Sequence, residues 1–326
     1  MATMKDLSMY VQEHLREYLP EEMQGAQIAV TDVQKNNGLP FTGVTVRLPG
    51  TNVMPVLYLN NYVRHPFGEI NESEFPGVCR HIAEEERKIG PQQDIDLSHV
   101  MTAEYLKGNS ALALVNTEKN EEMLRGVPHE DFRDLSIIAK CSLDVPAKMD
   151  GAVTVDNRML QEAGISKEEL FTAARENMLK RNDPVIHSMG ELLSSMGMEA
   201  GMSEGELEGM ESVADPSMGG APMFVCTNKS GFYGAAVILL PEVQKKMAKI
   251  CGGDYYILPS SVHETICLPK DKAPAEPEML QAMVQDINAT EVAPEDVLSD
   301  SVYRFDSKEM KIDIEASPSM KKEMSM

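Results

Sequence analysis

The sequence predicts an α+β fold: mixed, largely antiparallel sheets with flanking helices. β-like runs come first as a meander instead of alternating strictly with helices, which argues against a doubly wound sheet. Amphipathic segments with capping signals are interspersed later in the chain. With 326 residues, a 42% apolar fraction and mixed charges, the chain has enough material for one large core or two ordinary ones.

The elements follow in order. Residues 7–19 read as a helix, with Leu7, Val11, Leu15 and Tyr18 on one face and Pro20 ending it. Three β-like runs come next, at 27–33, 43–48 and 54–59, with the Asn36-Asn37-Gly38 turn between the first two. A helix is expected over 73–89, stopping at Gly90-Pro91. Residues 111–115 and 135–141 read as buried strands, with a short helix at 118–124 and a Val127-Pro128-His129 turn between them. After a short strand around Val153 and Val155, Asp156 caps a helix that stops before Gly164. Ser166 and Glu169 form a capping box opening a helix to about Arg181, with Leu170, Ala174 and Met178 inward.

Residues 188–221 change character. They are rich in Gly, Met, Ser and Glu, so this stretch is expected to be a flexible insertion, and seven of the 24 methionines fall from Met189 through Met223. Strands at 223–227 and 234–240 are expected to form a hairpin around 228–231. Pro241 starts a helix with Val243, Met247 and Ile250 inward. A strand at 255–258 precedes a helix at 277–288, apolar at Leu280, Met283, Val284 and Ile287. The expected organisation is an N-terminal part at 1–150, a C-terminal part at 151–306 and a frayed tail at 307–326.

Composition excludes several functions. The longest apolar run, Ala235 through Leu240, is far below the roughly 18 residues a bilayer span needs. The opening MATMKDLSMYVQEHL reads as an amphipathic helix and not as a signal peptide, so the cytoplasm is the expected location. Five cysteines with no CxxC pair read as buried thiols. A net charge of −22 argues against binding a phosphate backbone. The acidity clusters: seven carboxylates and no Lys or Arg lie between Ala273 and Tyr303. Such a face can solvate the molecule, dock a basic protein or mimic nucleic acid.

No phosphate loop, dinucleotide fingerprint or nucleophile elbow is present, and no cofactor is expected. The stretch DYYILPSSVHETICLP at 254–269 holds Ser261, His263, Glu264 and Cys267. On a helix, His263 and Cys267 would share a face beside Glu264, as in a zinc-peptidase motif whose second histidine is replaced by Cys. The β-like ending Thr265-Ile266-Cys267-Leu268 opposes that. Ser261 and Glu264 instead suit a capped turn between strands. His129, flanked by Glu130 and Asp131, is a second proton-transfer candidate or an ordinary loop histidine. On the 73–89 helix, Cys79, His81, Glu84 and Glu85 offer a cation site through His81 and Glu85 on one face, against the stronger reading of ordinary i,i+4 ion pairing with Arg80, Arg87 and Lys88, and 58–65 reads as a cleft wall.

Several of these stretches together resemble an uncharacterised family of clostridial proteins, carried as a domain of unknown function and often encoded near mobile elements. They are YLNNY at 58–62, VPHEDFRDL at 127–135, TNKSGFYGAAVILLP at 227–241, DYYILPSSVHETI at 254–266 and NATEVAPEDVLSDSVYRFD at 288–306. The resemblance brings no catalytic role. The expectation is a non-enzymatic cytoplasmic binding or regulatory protein with another protein as partner, in mobile-element or phage biology. The alternatives are a hydrolase-like enzyme using His263, Glu264, Ser261 and His129, and an acidic nucleic-acid mimic.

Overall fold

The computed structural model describes residues 2–52, 54–64, 68–89, 98–143, 151–181, 183–199, 222–259 and 261–318. Their strands form three antiparallel sheets, and the fold is α+β. Two compact units carry them: Met1–Val100 with Leu143–Gly151, and Met101–Ser142 with Ala152–Met326.

In the first unit, Thr3 and Asp6 make a reciprocal capping box that starts α1, Met4–His14. The chain tightens into a 3₁₀ turn at Leu15–Tyr18 before Pro20, so the α-helix is shorter than its apolar spacing suggests. Strands β1 (Gln27–Gln34) and β2 (Pro40–Arg47) pair along their whole length, with Asn37 left-handed in the turn between them. The third strand, β3, shrinks to Leu57–Tyr58. Pro55 has no N–H to donate to a ladder, which limits the pairing there. Helix α2 (Phe75–Ile89) lays Val78, Cys79, Ile82 and Ala83 into a core shared with Leu7, Val11 and Leu15 of α1 and with Ile28, Val44 and Val46 of the sheet.

The second unit opens with α3 (Ala103–Asn109), β4 (Ser110–Asn116) and the short α4 (Glu121–Leu124). The expected turn around Pro128 leads into an unforeseen strand, β5 (His129–Phe132), which pairs with β6 (Leu135–Ser142). Strand β6 also pairs with β4 and with β7 (Ala152–Thr154). Helices α5 (Asn157–Ala163) and α6 (Lys167–Lys180) carry the caps read from Asp156 and from Ser166 with Glu169. Leu170, Ala174 and Met178 of α6 are buried, and α6 packs on β4.

A six-stranded sheet completes this unit. Its order is β13-β12-β10-β11-β9-β8, with β8 at Pro184–Ser188, β9 at Phe224–Asn228, β10 at Tyr255–Leu258, β11 at Thr265–Pro269, β12 at Val302–Asp306 and β13 at Lys311–Ala316. Helix α7 (Met189–Glu199) follows β8, α8 (Pro241–Cys251) precedes β10, and α9 (Pro277–Thr290) precedes β12.

Four expectations change here. The first part of the 188–221 segment is helix α7, opened by reciprocal Ser188 and Glu191 bonds; 200–221 lies outside the described residues. The 234–240 run is a buried 3₁₀ helix, Gly234–Leu239, so β9 finds its partners in β8 and β11 and no hairpin forms there. The tail does not fray at 307: Ile312 alternates correctly to bury on β13, and only 319–326 falls outside the described residues. On the helices, Ile250, Met283 and Ile287 face solvent, while α9 turns Leu280, Gln281, Val284 and Asn288 inward.

Candidate functional site

His263 sits in the loop that joins β10 to β11, between the two strands of one antiparallel pair. The loop is ordered by its own polar groups. The Ser261 hydroxyl accepts the His263 N–H at 3.0 Å and donates to Glu264 Oε1 at 3.2 Å. The Val262 N–H donates to the Asp296 carbonyl at 2.8 Å. Ser261 and Glu264 therefore hold the bent loop as an internal brace, without a helical turn.

Both nitrogens of the His263 ring are engaged. Nε2 lies 3.3 Å from Asp296 Oδ1, and Nδ1 accepts the Tyr233 N–H at 3.2 Å. These partners assign the neutral ring as the Nε2–H tautomer. The Asp296 hydrogen bond is the main influence raising the His263 pKa, and the Gly231 carbonyl acts in the same direction, against burial. The rings of Phe232 and Tyr233 each lie 5.7 Å from the imidazole. Tyr233 is left-handed at φ 50°, and Gly234 after it is fixed by crowding. A Cβ at Gly234 would stand 2.2 Å from Thr227 Oγ1 and 2.5 Å from the His263 carbonyl oxygen, so no larger residue fits.

Cys267 does not join His263 on a helix face. It lies on β11, fully buried, with its sulfur 3.6 Å from that of Cys226 on the neighbouring β9. Its thiol is pushed well upward, first by the Cys226 hydrogen bond and then by burial. Among the described residues, no group of three or more His, Cys, Asp or Glu is placed to hold a metal. His129, at the start of β5, turns its Nδ1 toward the Val127 carbonyl at 2.8 Å, and its own carbonyl accepts the Lys167 ammonium at 3.2 Å. The α2 candidates also bond locally. Lys88 pairs with Glu85 at 2.8 Å, Tyr62 stacks on His81 at 6.3 Å, and Cys79 is buried. His65 lies outside the described residues.

Three groups that sequence reasoning passed over prove central. Asp296 is one, because a loop contact and no spacing rule joins it to His263. Tyr233 is the second: its ring carries the Lys140 ammonium at 4.2 Å, and that ammonium also donates to Thr154 Oγ1 at 3.2 Å. Burial pushes the Lys140 pKa down to about 8 and the Tyr233 pKa up to about 12.

The third is Asp134, at the tip of the β5–β6 hairpin. Its carboxylate accepts three hydroxyls, Ser299 at 2.6 Å, Ser301 at 2.9 Å and Tyr303 at 2.6 Å. Beside it, Arg133 donates to the Ile312 carbonyl at 2.8 Å and pairs with Asp313 at 2.9 Å. The hairpin tip thereby fastens the four-stranded sheet to the β12–β13 end of the six-stranded one. A small cavity of about 380 Å³ adjoins this network, lined in part by Lys119, Asn116 and Asp300.

The polar centres of the second unit thus bond chiefly to the protein itself. Helix α9 offers something different. Met279, Met283 and Ile287 are 62%, 49% and 44% exposed, and they succeed one another at i,i+4 spacing along one side. Asp286 falls on the edge of that stripe, and Glu278 on the flank beyond it.

No curated protein and no solved structure matches the chain. A family model matches residues 4–307, and the chain accordingly belongs to the family of unknown function DUF5688.

Proposed function

We propose that this is a non-enzymatic binding protein that docks a basic, amphipathic segment of another protein on the exposed face of α9. The observation that carries the reading is the Met279, Met283 and Ile287 stripe. Thioether side chains adapt to many apolar surfaces, and a helix in an intact fold normally buries such a stripe. Its surroundings give the sign of the partner: no Lys or Arg occurs between Ala273 and Tyr303, while Glu276, Glu278, Asp286 and Glu291 do. A second copy would bring like charges together, whereas a helix with basic flanks complements both the apolar stripe and the acidic rim.

The engaged state of His263 and Ser261 supports a role without acid–base chemistry at this loop. A general base needs a nitrogen within reach of a substrate proton, and both His263 nitrogens already have protein partners. The five free, buried thiols support a reducing compartment, here the cytoplasm. The mobile-element setting and clostridial origin are part of the proposal and rest on the sequence resemblance alone.

The test is a titration of the full chain with a lysine-rich amphipathic helical peptide, beside a Met279→Gln/Met283→Gln/Ile287→Gln variant. Glutamine keeps helix propensity while removing the apolar surface. The variant is expected to keep the wild-type unfolding temperature and lose at least tenfold in affinity. Equal affinity in the two proteins, or no binding by either, would sink the proposal.

A further inference from the structure

The first unit holds a cleft of about 1060 Å³ that no part of the reading above uses. It arises from the sheet outgrowing its helix. Along one face of the β1–β2 pair, Ile28 and Val46 are buried in the core with Leu7 and Val11. The same face continues through Val30 to Asp32 on β1, and through Thr42 to Pro40 on β2, and this continuation lines the cleft. The α1 wall presents Lys5, Ser8, Met9, Gln12 and Glu13, which are consecutive positions on one side of a helix.

The polar groups of the cleft are built in. Asn60, 5% exposed, accepts the Thr42 N–H at 2.9 Å, and the Thr42 hydroxyl donates to Asp32 at 3.3 Å. Around this fixed polar floor the charges are unequal. Among the described residues, Glu13, Asp32 and Glu69 line the cleft with Lys5 as the one cation, and Met4, Met9, Val30 and Pro40 form an apolar wall. Its volume of about 1060 Å³ lies just above the roughly 300–1000 Å³ range of small-molecule sites, so a chain segment fills it better than a single metabolite does.

We infer that this cleft is a peptide-binding site that takes an extended segment with alternating basic and apolar side chains. The ammonium or guanidinium groups meet Glu13, Asp32 and Glu69, and the apolar side chains lie against Met4, Met9 and Val30. An extended segment offers its side chains to alternate faces, which matches a cleft with a charged rim and an apolar wall. The site lies in a different compact unit from α9 and stands without the α9 reading.

The experiment is calorimetric titration of the full chain with a short acetylated and amidated peptide alternating lysine and leucine. A Glu13→Lys/Glu69→Lys variant, a Glu21→Lys/Glu22→Lys variant and free spermidine serve as comparisons; Glu13, Glu21, Glu22 and Glu69 are exposed, so their reversal spares the fold. The inference predicts wild-type binding that weakens at least tenfold in Glu13→Lys/Glu69→Lys and is unchanged in Glu21→Lys/Glu22→Lys, whose equal charge reversal lies outside the cleft lining. It is overturned if the wild type does not bind or if the charge-reversed cleft binds equally well. It is also overturned if Glu21→Lys/Glu22→Lys weakens binding as much, which would make the attraction a general effect of net charge, or if spermidine binds as tightly as the peptide.

Discussion

Asp134 shows how much one side chain can organise. Three hydroxyl donors converge on its carboxylate, and Ser299, Ser301 and Tyr303 are each at most 2% exposed. Removing the carboxylate would leave those hydroxyls unpaired away from water, so Asp134→Ala should cost about 3 kcal/mol of stability in chemical denaturation. An unchanged midpoint would show that the network is replaceable. His263 gives a prediction of a different kind. Its folded pKa is raised by Asp296, so the stabilisation that pairing adds is fully present below the unfolded value of about 6.5. It is lost as pH rises through the folded value. The stability gap between wild type and Asp296→Asn should therefore be widest below about pH 6.5 and shrink toward pH 8. A gap constant across that window would mean the ring is not being protonated against Asp296.

At the scale of elements, the legible parts were those whose signals are local. Capping boxes at Ser166 with Glu169, the Asp156 cap and the left-handed Gly164 all appear where side-chain chemistry required them. The misread parts depended on tertiary partners. The Gly234–Leu239 run has strand-like composition, but the crowding at Gly234 and the left-handed Tyr233 turn it into a 3₁₀ helix. The β13 strand was missed because its polar, Met-rich surroundings masked the alternation through Ile312 and Ala316, both buried in the sheet. A chain ending at Asp306 should lose at least about 3 kcal/mol, since it forfeits that burial and the Arg133 contacts. One ending at Pro318 keeps all of β13 and should unfold like the full chain. If the Asp306 truncation is as stable as the full chain, β13 does not hold the sheet together.

For the molecule as a whole, the candidate site was legible only in part. Ser261, His263 and Glu264 do form one structured loop, as their spacing suggested, but the partner that defines the histidine, Asp296, arrives from a distant segment. Periodicity cannot report such meetings. Of the apolar positions read on α9, Leu280 and Val284 do pack inward, while Met283 and Ile287 stay exposed and polar Gln281 and Asn288 take the remaining buried positions. That mixed face is the basis of the binding account: α9 buries Leu280 and Val284 and still keeps an apolar stripe of Met279, Met283 and Ile287 on the surface. The most direct test is a methyl-methionine NMR spectrum recorded while the lysine-rich helical peptide is added. The account predicts shifts at Met279 and Met283 with buried Met178 and Met247 unchanged. Shifts that leave Met279 and Met283 untouched, or none at all, would contradict it.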